Sequence, residues 1–341
     1  ELASRLSFFL WSSIPDQPLL EAAASGRLTR DDELQAQLRR MLADPRIRRM
    51  AVEFGCQWLH VRDFDQLDEK SEQTFPEFTE LQGDMYEEIT RFFEDLLRHD
   101  ASVLSLLDAD HTFVNERLAG FYGIPGITGS EWRKVEGVRM HARGGILAMA
   151  STLAKQSGAA RTSPILRGGW GSEFLLGDRL PKPPKGVPVL PEQTPAGMTE
   201  RQLIELHSSD PACAKCHSRI DPFGFSLEQF DAIGRRRDRD TQNQPIDATA
   251  TLPDGTPVDG LDGLRNYLLQ TRRRDFLQTF CRRLLGYALG RSVQLSDEPL
   301  LAEMLQSLEQ NDYRISAALT RIVLSPQFRT IRGLEQELAA E

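Results

Sequence analysis

The sequence predicts a mainly α, multi-helical fold with one small β-hairpin near residues 246–261. Three observations carry that expectation. Apolar residues recur at steps of three and four through most of the chain, the period of a helix with one buried face. Proline, glycine and aspartate stand where those runs stop. Only one stretch combines β-prone residues with a tight-turn signal: Thr249, Thr251 and Val258 around Pro253-Asp254-Gly255.

Taken in order, Leu2 to Trp11 reads as a helix that ends before Pro15, which restrains the residue preceding it. Asp16 is a ready N-cap with Pro18 just inside the next helix, and Gly26 follows its end. Thr29 opens a third helix whose first turn holds Asp31, Asp32 and Glu33, favourable against the helix dipole. Asp44-Pro45 stops it and starts a fourth, expected to run to about His60. Phe78, Leu81, Met85, Ile89, Phe92 and Leu96 then line one face of a long amphipathic helix. Beyond Asp110 the pattern loosens. Gly144-Gly145 leads into the apolar run Ile146–Leu153, and Ser163-Pro164 opens a helix ending near Gly177. The prolines of 181–197 favour an extended connector across the surface. After the hairpin the chain returns to helix over Phe276–Leu289, Pro299–Leu308 and Ile315–Leu324. The resulting division is an N-terminal helical domain (1–110), a domain with the chemically informative segment and the connector (111–243), and a hairpin plus C-terminal helices (244–341).

Composition narrows the function classes. The chain has 341 residues, with 41 basic against 50 acidic side chains and a formal charge of −9, which argues against a general nucleic-acid binder. No run of about 18 apolar residues is present, so no membrane-spanning helix is expected. The chain opens Glu1-Leu2-Ala3-Ser4 without a signal-peptide pattern, as expected of a mature protein or a piece of a longer one. Four cysteines are too few for a disulfide scaffold.

Cys213-Ala214-Lys215-Cys216-His217 is the attachment pattern of a c-type haem. Two cysteines three apart on a helical turn can both reach the haem vinyl groups, and the next residue presents an imidazole to iron from the same face. This makes the segment cytochrome c-like, with one covalent haem c per chain, thioethers from Cys213 and Cys216, and His217 as the proximal iron ligand. A structural zinc site would need a second ligand pair at matched spacing, and a thioredoxin-like pair would need a βαβ context; the sequence offers neither. The sixth iron ligand stays open between His207, ten residues before His217, Met198, and a water-filled or open site. His141, Met149 and Met304 could serve only through tertiary contacts. Phe223 and Phe225 are expected to pack on the porphyrin, or else as ordinary core. Arg161 and Arg167 suit the propionates, as guanidinium suits any carboxylate. Arg235–Arg237 after the haem segment suit propionates by the same chemistry, but the Arg235–Arg239 cluster reads rather as surface salt-bridge partners of Asp238 and Asp240. Asp221, Glu228 and Asp231 could form an acid–base set whose geometry the sequence leaves open. Cys56 and Cys281 are read either as a disulfide or as small hydrophobes.

The ordered motifs resemble a known group. Leu6-Ser7-Phe8-Phe9-Leu10-Trp11 with Pro15-Asp16, and Gln57-Trp58-Leu59, are similar to family 1592 of domains of unknown function. Thr112-Phe113-Val114-Asn115-Glu116, Arg143-Gly144-Gly145-Ile146-Leu147, Thr162-Ser163-Pro164, Arg167-Gly168, His207, Asp210 through His217, Ile220 through Phe225 and Phe230-Asp231 are similar to family 1588. Tyr287-Ala288-Leu289-Gly290-Arg291 and Ile322 through Phe328 resemble family 1585. The chain thus resembles the tandem, planctomycete-type, haem-containing multidomain proteins. The resemblance implies a c-type cytochrome module, exported to the periplasm, whose relatives often carry a further N-terminal cytochrome segment. It also implies that His207 matches the family's histidine upstream of the haem motif. Cys56 and Cys281 depart from the family's signatures.

The function expected first is single-electron transfer to a redox partner protein, which includes another cytochrome domain of the same full-length chain. No nucleic acid and no membrane-spanning segment enter this reading. The alternatives are a peroxidase- or oxygenase-like haem enzyme with an open or displaceable distal site, and a haem-bearing module that binds a partner or polymer. Whether the chain is itself an oxidoreductase is left open. Covalent haem is assembled outside the bacterial cytoplasm, so a chain without a signal peptide fits a fragment of an exported protein.

Overall fold

The structure is a computed structural model that describes residues 1–67, 69–181, 190–191, 194–240 and 242–330. In chain order its helices begin with α1 (Leu2–Trp11), α2 (Gln17–Ala24), α3 (Asp31–Ala43), α4 (Arg48–Met50) and α5 (Phe78–Arg98). The middle of the chain supplies α6 (Ser105–Asp108), α7 (Glu116–Tyr122), α8 (Ala150–Lys155), α9 (Pro164–Gly169), α10 (Glu200–Ser208) and α11 (Pro211–Phe225). The last are α12 (Gly260–Gln270), α13 (Arg273–Leu289), α14 (Glu298–Gln310), α15 (Ile315–Leu324) and α16 (Pro326–Arg329). The strands form two antiparallel pairs: β1 (His111–Val114) with β2 (Arg133–Glu136), and β3 (Thr249–Thr251) with β4 (Pro257–Asp259). Among the described residues no helix is long and apolar enough to cross a membrane.

Two of the predicted helix ends hold, while Thr29, expected to open the third helix, instead closes a 3-10 turn and Arg30 precedes α3 without a side-chain cap. The Asp16 carboxylate accepts the Leu19 N–H at 3.3 Å and so fixes the start of α2. Ser12 takes a left-handed conformation that closes α1 ahead of Pro15. The segment after Asp44 differs from expectation. Instead of one helix to about His60, a 3-10 turn (Pro45–Ile47) leads into α4, which continues as a π-helix over Ala51–Cys56. The sequence also hides one of the two hairpins. Thr112-Phe113-Val114 alternates in burial, but its partner strand lies beyond α7, so no tight turn marks the pair. Most of the connector expected at 181–197 lies outside the described residues.

The chain divides into two compact units. One comprises Glu1–Gly55, Phe93–Val103 and the chain from Phe280, so the two ends of the sequence contribute to the same core. Its centre is aromatic. The Phe9 ring lies 5.9 Å from Tyr287 and 5.7 Å from Phe328, and the buried Trp11 indole donates to the Met41 carbonyl at 3.1 Å.

The other unit comprises Cys56–Phe92 and Leu104–Thr279. It carries both hairpins. In the second, the Asp254 carboxylate accepts the Thr256 N–H and the Tyr267 hydroxyl, each at 3.0 Å, which ties the β3–β4 turn to α12. The feature that positions the chemistry is the crossing of α9 and α11. A Cβ added at Gly168 would stand 1.9 Å from the Ile220 carbonyl oxygen, and one added at Gly224 would stand 1.9 Å from that of Pro164. The two helices therefore meet backbone to backbone, an approach only glycine permits.

Candidate functional site

The site is built on the hairpin of α10 and α11. Thr199 caps α10 in a reciprocal box: its hydroxyl accepts the Gln202 N–H at 3.2 Å, and the Gln202 side chain accepts the Thr199 N–H at 2.8 Å. Asp210 then starts α11, its carbonyl accepting from the Cys213 and Ala214 N–H groups, both at 2.9 Å. Pro211 sits where a missing N–H costs nothing. Within α11, Cys213, Cys216 and His217 fall at i, i+3 and i+4 and so share one helix face. Both thiols are half-buried, while His217 is 8% exposed.

The His217 ring is held from two sides. Its Nδ1 lies 2.9 Å from each carboxylate oxygen of Asp221, one helical turn further on. Burial pushes the Asp221 carboxyl up from its ordinary range, while the hydrogen bond from His217 pulls it back down. On the other side the His207 ring, carried by α10, meets His217 edge to face with centroids 5.0 Å apart. The structure thus brings together Cys213, Cys216, His217 and His207. Among the described residues, no three His, Cys, Asp or Glu side chains converge as ligands of a bare metal ion.

The remaining predicted residues are placed elsewhere. Met198 lines a cavity of about 1130 Å³ together with Arg161, Glu200, Glu228 and Arg237, and neither Cys213, Cys216, His207 nor His217 is in its wall. Arg161 pairs with Glu200 and donates to the Pro191 carbonyl at 3.1 Å. The propionate role expected for Arg167 gives way to a framework role. Its guanidinium is 1% exposed and donates to the carbonyls of Leu227 and Phe230 (both 2.8 Å) and Asp231 (2.6 Å), and to the Ser157 hydroxyl at 3.0 Å. Phe223 faces Tyr267 at 6.2 Å, and Phe225 lies under the Arg201 guanidinium at 4.6 Å. Met149 and Met304 are core residues.

The three carboxylates read as an acid–base set have separate partners. Asp221 holds His217, Glu228 accepts from Thr162, Arg167 and Arg237, and Asp231 caps the Ile233 and Arg235 N–H groups. Arg235 pairs with Glu77 at 2.6 Å and Arg237 with Glu228 at 3.3 Å, in place of the expected Asp238 and Asp240. The Cys56 thiol meets the Thr90 hydroxyl at 3.7 Å, and burial pushes the Cys281 thiol up to about 12; neither is in a disulfide.

Sequence reasoning missed a second buried arginine and its acid. Arg143 donates to the carbonyls of Ala148 at 2.8 Å and Gly234 at 2.9 Å, and lies over the Tyr122 ring at 3.8 Å. The Tyr122 hydroxyl in turn donates to Glu88, which also accepts from Thr112. Burial raises the Glu88 carboxyl to about 7 against these hydrogen bonds. The two arginines hold the turn that follows α11 from opposite ends, Arg167 at 227–231 and Arg143 at 234. The Arg-Gly pairs at 143–144 and 167–168 were the available signal.

Three family models match the chain in tandem. They are described as Protein of unknown function (DUF1592) over residues 1–124, Protein of unknown function (DUF1588), labelled PSCyt3, over 143–240, and Protein of unknown function (DUF1585) over 254–328. The middle match contains α8 to α11, both framework arginines and the Cys–His face. No curated protein and no solved structure matches the chain.

Proposed function

We propose, for a chain that belongs to the tandem DUF1592, DUF1588 and DUF1585 families, that it is a c-type cytochrome module carrying one covalent haem and passing single electrons. The observation that carries this reading is the face of α11: two half-buried thiols one turn apart, with an imidazole beside them whose Nδ1 is already engaged. Cys213 and Cys216 would hold the haem through thioethers, and His217 would ligate iron through Nε2. When bound, the group supplies a one-electron ferric/ferrous couple.

The surroundings support the reading. Two of the helices that pack on α11 carry an exposed leucine, Leu166 on α9 at 49% exposure and Leu206 on α10 at 62%. Exposed apolar side chains on the helices around α11 suit the packing of a porphyrin face. The label of the DUF1588 family fits the same chemistry. His207 is the nearer candidate for the sixth ligand, because its ring already lies against His217. Rings in direct contact leave no room for an atom between them, so this role requires His207 to draw back from His217. Covalent attachment carries with it an exported location and a redox partner protein.

Expression alongside a cytochrome c maturation system tests the proposal. The expected product retains haem through acid extraction and gives the pyridine haemochrome spectrum of two thioethers. A Cys213→Ala, Cys216→Ala variant that still held haem covalently would overturn it. Low-spin iron indifferent to peroxide and cyanide is expected for electron transfer; high-spin iron that binds both defeats that assignment and favours a haem enzyme.

A further inference from the structure

We infer that Asp221 is a positioning residue that makes His217 an unusually strong donor and so sets the reduction potential of the site low. The inference rests on the haem reading above and concerns what this chain's own residues do to the ligand. Three observations carry it.

The first is geometric. Asp221 follows His217 by one turn of α11, and both of its carboxylate oxygens lie 2.9 Å from Nδ1. A carboxylate so placed accepts the Nδ1 proton, which fixes the tautomer with the Nε2 lone pair pointing away from Asp221. The second is burial. Asp221 is 5% exposed, so its charge acts on the ring with little screening by water.

The third is that, among the described residues, no arginine or lysine pairs with Asp221; the other charged groups acting on it are the His207 ring and Glu205. Glu228, also buried, has its charge offset by Arg167 and Arg237. For Asp221 the hydrogen-bond donor among the described residues is the His217 ring. Its negative charge is therefore directed onto the imidazole, which gains imidazolate character and becomes more basic at Nε2. A more basic axial ligand favours ferric over ferrous iron. The helix that holds the pair is itself fixed, because the Ile220 backbone next to Asp221 abuts Gly168.

The experiment compares midpoint potentials of the haem-loaded wild type with Asp221→Asn and Asp221→Glu. Asparagine keeps an acceptor but removes the charge. It should shift the ferric/ferrous equilibrium toward ferrous at least tenfold, which is ~59 mV for one electron. Glutamate, which restores the charge, should return the potential toward wild type. A ferric/ferrous equilibrium in Asp221→Asn shifted by less than tenfold from wild type overturns the inference and leaves the haem reading standing. A wild type that never acquires covalent haem defeats both. Should the variants fail to load, nitrogen-15 spectra of His217 in the unloaded wild type at alkaline pH decide. Protonation at Nδ1 supports the inference, and protonation at Nε2 overturns it.

Discussion

The two halves of α11 do opposite work. From Ile220 to Phe225 the helix is pressed against α9 with no side chain between the backbones at Gly168 and Gly224, and the turn beyond it is held by Arg167 and Arg143. From Cys213 to His217 the same helix offers half-buried thiols and an imidazole with one nitrogen engaged. One half uses up its polar and steric capacity on the protein; the other keeps sulfur and nitrogen for chemistry. A rigid element that carries reactive groups only at one end can present them in fixed geometry. Asp221 stands at the border, held by the fixed half and acting on the other.

Removing a framework arginine should produce the largest effect. Arg167→Met keeps most of the volume but strands the carbonyls of Leu227, Phe230 and Asp231 and deprives buried Glu228 of one of its two cations. The expected loss is about 3–5 kcal/mol, read as a lowered urea midpoint of the unloaded chain. A change below ~1 kcal/mol would return Arg167 to the role of a surface or propionate residue.

The second framework arginine predicts a pH dependence. Glu88, beside Tyr122 and Arg143, titrates near 7 in the fold against an ordinary 4.5. Between those values the folded chain binds more protons than the unfolded one, so stability is full below about 4.5 and declines until pH passes about 7. The decline attributable to this group is roughly 3 kcal/mol. Glu88→Gln keeps an acceptor oxygen for one of the two hydroxyls, turns an amide N–H toward the other, and has no charge to bury, so it should flatten the stability profile across that window. An identical slope in the variant assigns the dependence elsewhere.

These residues also mark how far the sequence could be read. The reactive half of α11 was legible because its information is local: two cysteines and a histidine within five positions, on a helix announced by Asp210-Pro211. The His217–Asp221 pair is readable in the same way, from i, i+4 spacing. The framework half was not. Arg167 looks the same on paper whether it meets a propionate or three carbonyls some 60 residues away, and what decides is the glycine-to-glycine approach of α9 and α11. The β1–β2 pair escaped for a related reason, since α7 separates its strands and leaves no turn to recognise.

The smallest effect expected on stability separates the two kinds of cysteine. Cys213 and Cys216 are half-buried on the reactive face, so replacing either with serine in the unloaded chain should change stability by no more than ~0.5 kcal/mol. Cys281 is fully buried in apolar surroundings that raise its thiol to about 12. A serine hydroxyl there must give up water without a prepared partner, at a cost of about 1–3 kcal/mol. Urea denaturation of the three single variants measures the contrast directly. A Cys213→Ser or Cys216→Ser variant destabilised as much as Cys281→Ser would mean that the thiols are structural. The division of α11 into a fixed half and a reactive half would then fail where it is most specific.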